Sequence, residues 1–267
     1  MRFPQKTLRR AVEIEGFGLH SGVPVRVRFS PSSEGIAFRL GAVRVEARPE
    51  NVGDTRRCTR LGPVATIEHA MSAFAALGIT DLEVELDAPE MPALDGAGAA
   101  YWDAFEAVGL EVIGERTLGD PFARVFVKSD FTAIAVAHGA GDWRATFETG
   151  DRWPGTLTCE FLFGKYDYRA EIAPARTTAF LEEVDMARAA GLGLGLDETN
   201  CLVLGPEGYF NSAKFANEPA RHKLLDLLGD LYLSGVPPQF LNVVAERSGH
   251  THNVAAAAKL AAAVRVG

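Results

Sequence analysis

Twice along this 267-residue chain, strand-like segments give way to helical ones, and that recurrence restricts it to an α+β architecture of two similar layered domains. In the first half, alternating segments at 25–29 and 43–47 read as strands. A helix begins at Thr66, a strand follows at 82–86, and a second helix covers 97–108. The second half opens with strand-like runs at 124–127, 132–137, 143–147 and 156–163. It continues through a helix near 179–190, a short strand at 201–204 and a helix over 219–233. A buried-looking strand at 240–245 and an alanine-rich helix from about Asn253 close the chain. The stretch 114–120 before Pro121 reads as a linker, which divides the chain into expected domains 1–117 and 121–267. Each half then contributes one site-bearing helix, and the active site is expected between them, where ligand clefts commonly form.

The helix over 219–233 carries the sharpest chemical signal. Residues four apart share a helix face about 5–6 Å apart at Cβ, so His222 and Asp226 are spaced to grip one ion. Asp230 repeats the interval, and two stacked carboxylates call for positive charge nearby, either a metal or a protonated histidine. Leu224, Leu225, Leu228, Leu231 and Tyr232 line the other face, with Asn217 placed to cap and Pro219 in the first turn. The ordinary alternative is a solvated polar stripe. The first half supplies the counterpart, Thr66-Ile67-Glu68-His69, opening a helix in which Ile67, Met71, Phe74 and Leu77 keep helical spacing and Thr66 is the expected cap. Glu68 and His69 point about 100° apart, so one can bind a metal while the other faces its water. A capping Glu68 and a core-edge His69 are the bland alternatives. Together the two segments hold two imidazoles, a carboxylate ligand and a spare acid, the parts of a catalytic zinc site in a hydrolase.

Composition sets limits on partners. A net charge of −8, with 47% apolar and 23% charged residues, describes an ordinary globular protein with no surplus cation for nucleic acid or anionic membrane. No apolar stretch approaches the 18 or so residues of a membrane span, and the first residues lack the apolar core of a signal peptide. Cys58, Cys159 and Cys201 are odd in number and widely spaced, which reads as free thiols in a reducing cytoplasm. A monomer is the default expectation.

A third constellation, Ser248-Gly249-His250-Thr251-His252-Asn253, falls between the strand at 240–245 and the last helix. His250 reads as a charged partner for the site and His252 as a helix-entry residue. Capping or solvated roles for both are the alternative.

Gln5-Lys6-Thr7-Leu8 with Gly16-Phe17-Gly18-Leu19-His20-Ser21-Gly22, then Thr66-Ile67-Glu68-His69, come in a telling order. After them stand Ala88-Pro89-Glu90-Met91-Pro92-Ala93-Leu94-Asp95-Gly96 and Ala175-Arg176-Thr177. Arg221-His222-Lys223-Leu224-Leu225-Asp226-Leu227-Leu228-Gly229-Asp230 and Ser248-Gly249-His250 complete the series. This ordered set, spanning nearly the whole chain, resembles the UDP-3-O-acyl-N-acetylglucosamine deacetylases, zinc amidases that commit an acylated sugar nucleotide to lipid A synthesis. The resemblance implies one zinc ion, with iron a possible substitute, held by His69, His222 and Asp226 with a fourth position open. It implies that Glu68 takes a proton from the attacking water and that Thr177 helps hold the oxyanion. His250, kept protonated by Asp230, would protonate the departing amine; Lys223 and His20 would contact the acylated UDP-glucosamine substrate. The stretch from Ala179-Phe180-Leu181 to Gly191-Leu192-Gly193-Leu194-Gly195-Leu196 is similar in position to the family's greasy acyl passage, with an ordinary helix and flexible turn as the bland reading.

The chain departs from the family pattern at Thr178, where an aromatic is usual, and at Asn217-Glu218-Pro219-Ala220. The segment between the strand ending at Phe163 and Arg176 looks shortened. These differences spare the expected metal and proton-transfer residues and bear on substrate contacts instead. Two other functions stay open at this level: a zinc amidase of the same fold acting on a different amide, and a non-catalytic paralogue that binds a nucleotide sugar or lipid precursor.

Overall fold

A computed structural model describes residues 1–119 and 124–265. The first half comprises β1 (Arg2–Leu8), β2 (Val12–Phe17), β3 (Pro24–Pro31), β4 (Ile36–Leu40), β5 (Val43–Glu46), β6 (Val52–Asp54), β7 (Arg60–Leu61), α1 (Glu68–Leu77), β8 (Leu82–Leu86), α2 (Ala99–Val108) and β9 (Leu110–Thr117). Five strands form a sheet in the order β2-β3-β8-β4-β5, in which only β4 and β8 run parallel. Alternation drives this assembly: along β3, Val25, Val27 and Phe29 are buried while Arg26 and Arg28 face solvent. Phe29 meets Phe105 of α2 edge-on at 4.9 Å between centroids, and Phe105 meets Phe74 of α1 at 5.3 Å.

The second half comprises β10 (Val125–Lys128), β11 (Ala133–His138), β12 (Asp142–Glu148), β13 (Thr156–Leu162), α3 (Tyr168–Glu171), β14 (Thr177–Phe180), α4 (Val184–Ala189), β15 (Cys201–Leu204), α5 (Glu218–Tyr232), β16 (Leu241–Glu246) and α6 (His250–Arg265). Its sheet runs β10-β11-β16-β12-β13, again with one parallel pair, β12 and β16. Written by position in each half, both sheets have the strand order 1-2-5-3-4. In both, one site helix precedes the fifth strand and another helix follows it. The expected α+β architecture with two similar layered domains is therefore the observed one, and α1 and α5 occupy equivalent places.

Those two helices pack directly on each other, at a spacing set by Gly229 of α5. A Cβ there would fall on the carbonyl oxygen of Glu68, 2.9 Å from its carbonyl carbon and 3.1 Å from the Ser72 nitrogen. Because these are backbone atoms of α1, no rotamer change relieves the overlap, and the helices must separate. Gly229→Ala is accordingly expected to cost about 1–3 kcal/mol of stability. That corresponds to roughly 2–4 °C of melting temperature per kcal/mol. Metal affinity should fall with it, because α1 and α5 supply the expected ligands; an unchanged melting curve and metal affinity would show that the contact carries no strain.

Several local expectations are corrected. The stretch 114–120 is not simply a linker: Gly114 to Thr117 belong to β9, which pairs antiparallel with β1, and residue 120 lies outside the described residues. The helix expected near 179–190 is β14, then a single turn, then the short α4, because β14 pairs in parallel with β15. Thr66 does not cap α1: it has φ +61, Ile67 takes the cap position, and the Thr66 hydroxyl donates to Glu90 instead. Asn217 stands at the cap position of α5, but its amide donates to the Thr158 carbonyl and its oxygen accepts from Arg221. The last helix starts at His250 rather than Asn253. Among the described residues no helix is long and apolar enough to cross a membrane.

Candidate active site

The first turn of α1 and the middle of α5 bring three metal-ligand types together. One ligand atom from each of His69, His222 and Asp226 lies within 4.8 Å of the others, and all three residues are buried. His222 Nε2 is 3.4 Å and His69 Nε2 3.8 Å from Asp226 Oδ1. The rings meet edge-on at 5.1 Å between centroids. Burial, then the neighbouring His222, pushes His69 down to about 3, and burial likewise lowers His222 against the pull of Asp226. Both imidazoles are thus neutral and free to donate lone pairs. Burial opposes ionisation of Asp226, yet the pull of His222 when its ring is protonated, then of the Lys223 ammonium, outweighs it and holds the carboxyl well below its usual range. Asp226 Oδ1 is buried with no hydrogen-bond partner among the described residues. An orphaned anionic oxygen between two neutral imidazoles is a costly arrangement unless a cation completes it, so these residues fit a divalent metal. The Ala175 carbonyl 3.0 Å from His222 Nδ1 directs Nε2 toward the cluster, a usual orienting contact for a metal ligand.

Beside this cluster Glu68 and His250 face each other. Glu68, 2% exposed, accepts the Thr59 backbone N–H at 3.0 Å through Oε2, and its Oε1 is 3.8 Å from His250 Nε2. Burial raises the Glu68 carboxyl to about 8; His250 opposes the rise, and Asp230 and Asp226 add to it. His250, on the first turn of α6, places Nδ1 3.0 Å from Asp230 Oδ2. Burial alone would lower the imidazole, but Asp230 first and then Glu68 overcome it and raise the group to about 9. Asp230 also accepts from the Thr59 hydroxyl at 2.5 Å and the Asn253 amide at 3.0 Å. Thr59 therefore holds Glu68 with its backbone and Asp230 with its side chain.

A cavity of about 470 Å³ opens from these groups. Thr177, His20 and Lys223 line it, as do Leu181, Val184, Leu192 and Leu196 from the connection between β14 and β15. Thr177 is fixed by its N–H to the Gly96 carbonyl at 2.8 Å, and its neighbour Arg176 makes a buried ion pair with Glu218 at the start of α5. Lys223 Nζ is 3.5 Å from Asp226 Oδ2. Both ring nitrogens of His20 are buried and without a partner among the described residues.

All nine residues singled out from the sequence thus border one cavity or its buried edge. Thr59, Asn253, Glu90 and the Ala175 carbonyl were missed. Thr59 lies on no periodic segment, and a backbone carbonyl leaves no trace in residue type. Cys58 is buried, and burial followed by the Glu68 charge pushes its thiol up to about 11, so it stays a protonated, unreactive neighbour.

Two packed sheet-and-helix layers thus bring the buried His-His-Asp cluster, the Glu68–His250 pair and the cavity together in one place. Sequence comparison supplies the family. The sequence model of the family described as UDP-3-O-acyl N-acetylglycosamine deacetylase matches residues 5–262. A UDP-3-O-acyl-N-acetylglucosamine deacetylase of Leptospira biflexa serovar Patoc is 31% identical over 274 positions, covering 95% of this chain and 88% of the relative. Proteins of that name from Brucella melitensis biotype 2 and Brucella ovis are each 34% identical, covering 93% of this chain and 92% of the relative. The chain belongs to this deacetylase family and is a hydrolase of the deacetylase type.

Proposed function

We propose that this deacetylase hydrolyses the acetamide of UDP-3-O-acyl-N-acetylglucosamine, releasing acetate in lipid A biosynthesis, with one zinc ion held by His69, His222 and Asp226. The observation that carries the reading is the orphaned Asp226 oxygen between two neutral imidazoles, on a cavity that Leu181, Val184, Leu192 and Leu196 also line. Relatives named for this activity support the substrate. Zinc there would supply Lewis acidity and lower the pKa of a water toward ~7; iron is an alternative occupant because the same donors suit it.

The chain's own groups do the rest. Glu68 takes the proton from the attacking water, its carboxyl raised to about 8 being a stronger base once ionised than an ordinary carboxylate. The Thr177 hydroxyl donates to the oxyanion as charge develops there. His250 enters the reaction protonated, steadies that charge and delivers its proton to the departing amine. Lys223 and His20 meet the nucleotide-sugar portion, and Leu181, Val184, Leu192 and Leu196 take the acyl chain. Three buried free thiols suit a cytoplasmic protein, and a monomer with a small-molecule substrate is sufficient for the chemistry.

The deciding experiment is acetate release from the acylated UDP-N-acetylglucosamine by purified protein, alongside elemental analysis. Chelation should abolish release and zinc should restore it. Release from a different acylated amide but not from this substrate would move the activity elsewhere within the fold. Tight ligand binding with no metal and no acetate would make the chain a binding protein.

The His250–Asp230 pair adds a pH prediction. Below about 9 the ring is protonated and competent, so activity should fall as pH rises through that value. Asp230→Asn removes the main charge holding the proton, and the alkaline limb of the rate profile should move down by about 1–2 units toward the ordinary imidazole value. The pair's stability contribution is present below the unfolded value near ~6.5 and is lost as pH rises through about 9, so the variant should lose more stability at pH 6 than at pH 10. A limb that stays in place would assign it to another group.

A further inference from the structure

Glu90, 4% exposed, is a carboxylate met by four neutral donors. Its Oε1 accepts the His20 backbone N–H at 2.7 Å and the Thr66 hydroxyl at 3.1 Å. Its Oε2 accepts the Ser21 backbone N–H at 2.9 Å and the Ser21 hydroxyl at 2.6 Å. The loop wrapped around it is closed by Gly18 N–H to the Val23 carbonyl at 2.8 Å and Gly22 N–H to the Gly18 carbonyl at 2.9 Å. Gly18 permits the wrapping, because a Cβ there would lie 2.5 Å from Glu90 Oε2. The same loop reaches the other domain: the His20 and Leu19 carbonyls accept from Leu194 and Gly195 at 3.0 and 3.2 Å. Leu192 and Leu196, on either side of that seam, wall the cavity. His20 meanwhile turns a buried ring with two unpaired nitrogens to the cavity, an arrangement tolerated where a ligand completes it.

We propose that Glu90 is a positioning residue for substrate binding: its carboxylate fixes the 18–22 loop so that His20 presents an unpaired imidazole to the cavity and the loop backbone clasps residues 194–195 beside the apolar wall. What binds there rests on the deacetylase reading above; the loop geometry does not. Glu90 touches no reacting atom, so its effect belongs to binding rather than to the chemical step. A glutamine is isosteric but offers one accepting oxygen, and its amide hydrogens would confront one of the two backbone N–H groups. A buried donor left unmet loosens the loop.

The test uses the zinc-loaded enzyme and its Glu90→Gln and Ser21→Ala variants. Steady-state kinetics on the acylated UDP-N-acetylglucosamine are read beside the His20 ring Cε1–H resonance, assigned with His20→Gln. Glu90→Gln should raise KM about tenfold while kcat stays within about threefold and metal content is unchanged. The His20 resonance should shift. Ser21→Ala, which removes one hydroxyl bond to Glu90 and a long one accepted from the Val23 N–H, should move KM and the resonance the same way by less, and it keeps the question decidable if Glu90→Gln does not fold. An unmoved resonance and KM in the folded variants, or a fall in kcat at fixed KM, would overturn the proposal. Absence of acetate release in the wild type would instead count against the deacetylase reading, and the His20 signal would still decide the role of Glu90.

Discussion

His222→Ala should lose both its metal and its acetate release. The residue is buried in the middle of α5, and its Nε2 faces Asp226 Oδ1 at 3.4 Å with Nδ1 held by the Ala175 carbonyl. Its loss leaves two protein donors from a set of three, and no neighbouring side chain reaches in as a replacement among the groups described above. Changes one shell out from a metal already cost about 10–100-fold in affinity or activity, so removal of a ligand should exceed that. With several kcal/mol of transition-state stabilisation gone, the rate should fall by about 10³-fold or more. Elemental analysis and acetate release on wild type and variant, with circular dichroism to confirm the fold, supply the check. Acetate release that survives without metal would detach the cluster from the reaction. The same variant distinguishes two kinds of stability: a metal that binds only the folded chain stabilises it by mass action, so the wild type should melt higher with added zinc and the variant should not.

How much of this was legible in advance depended on periodicity. The stripe His222, Asp226, Asp230 on a 3.6-residue repeat could be read directly, because α5 is long and its leucines sort cleanly to the other face. Strands such as β8 and β12 were legible from their alternation, whereas β2 and β4 of the first sheet were not picked out. The order 1-2-5-3-4 was not legible, because pairing between distant strands leaves no local mark. The stretch 179–190 was misread because Thr177-Thr178-Ala179-Phe180 is short and half-buried, and it becomes a strand only by pairing with β15. Thr66 fits a cap by residue type, yet Glu90, twenty-four residues on, claims its hydroxyl. That tertiary bond draws Thr66 away from capping α1, where local preference would put it. The repeated topology explains why so distant a pair of segments forms one site: it delivers α1 and α5 to equivalent positions, and Gly229 lets them close to backbone contact.

Glu68→Gln should keep the metal and lose turnover. Glu68 is no part of the three-ligand cluster: its Oε2 is engaged by the Thr59 N–H, and its Oε1 faces His250 at 3.8 Å. The substitution retains shape and one accepting oxygen for Thr59, so the fold and the His69-His222-Asp226 geometry should persist. What disappears is the basic carboxylate. A positioned general base contributes about 10²–10⁴-fold, and kcat should fall by that factor with metal content unchanged. KM should move little, because a group used only as the proton leaves contributes little to the ground state. The charge change has a second consequence, since Glu68 is, after Asp230, the next charge holding the proton on His250. Whatever activity remains should therefore show its alkaline limb at lower pH than wild type. Undiminished hydrolysis by a metal-replete variant would remove Glu68 from the mechanism and leave its elevated carboxyl as a consequence of burial alone.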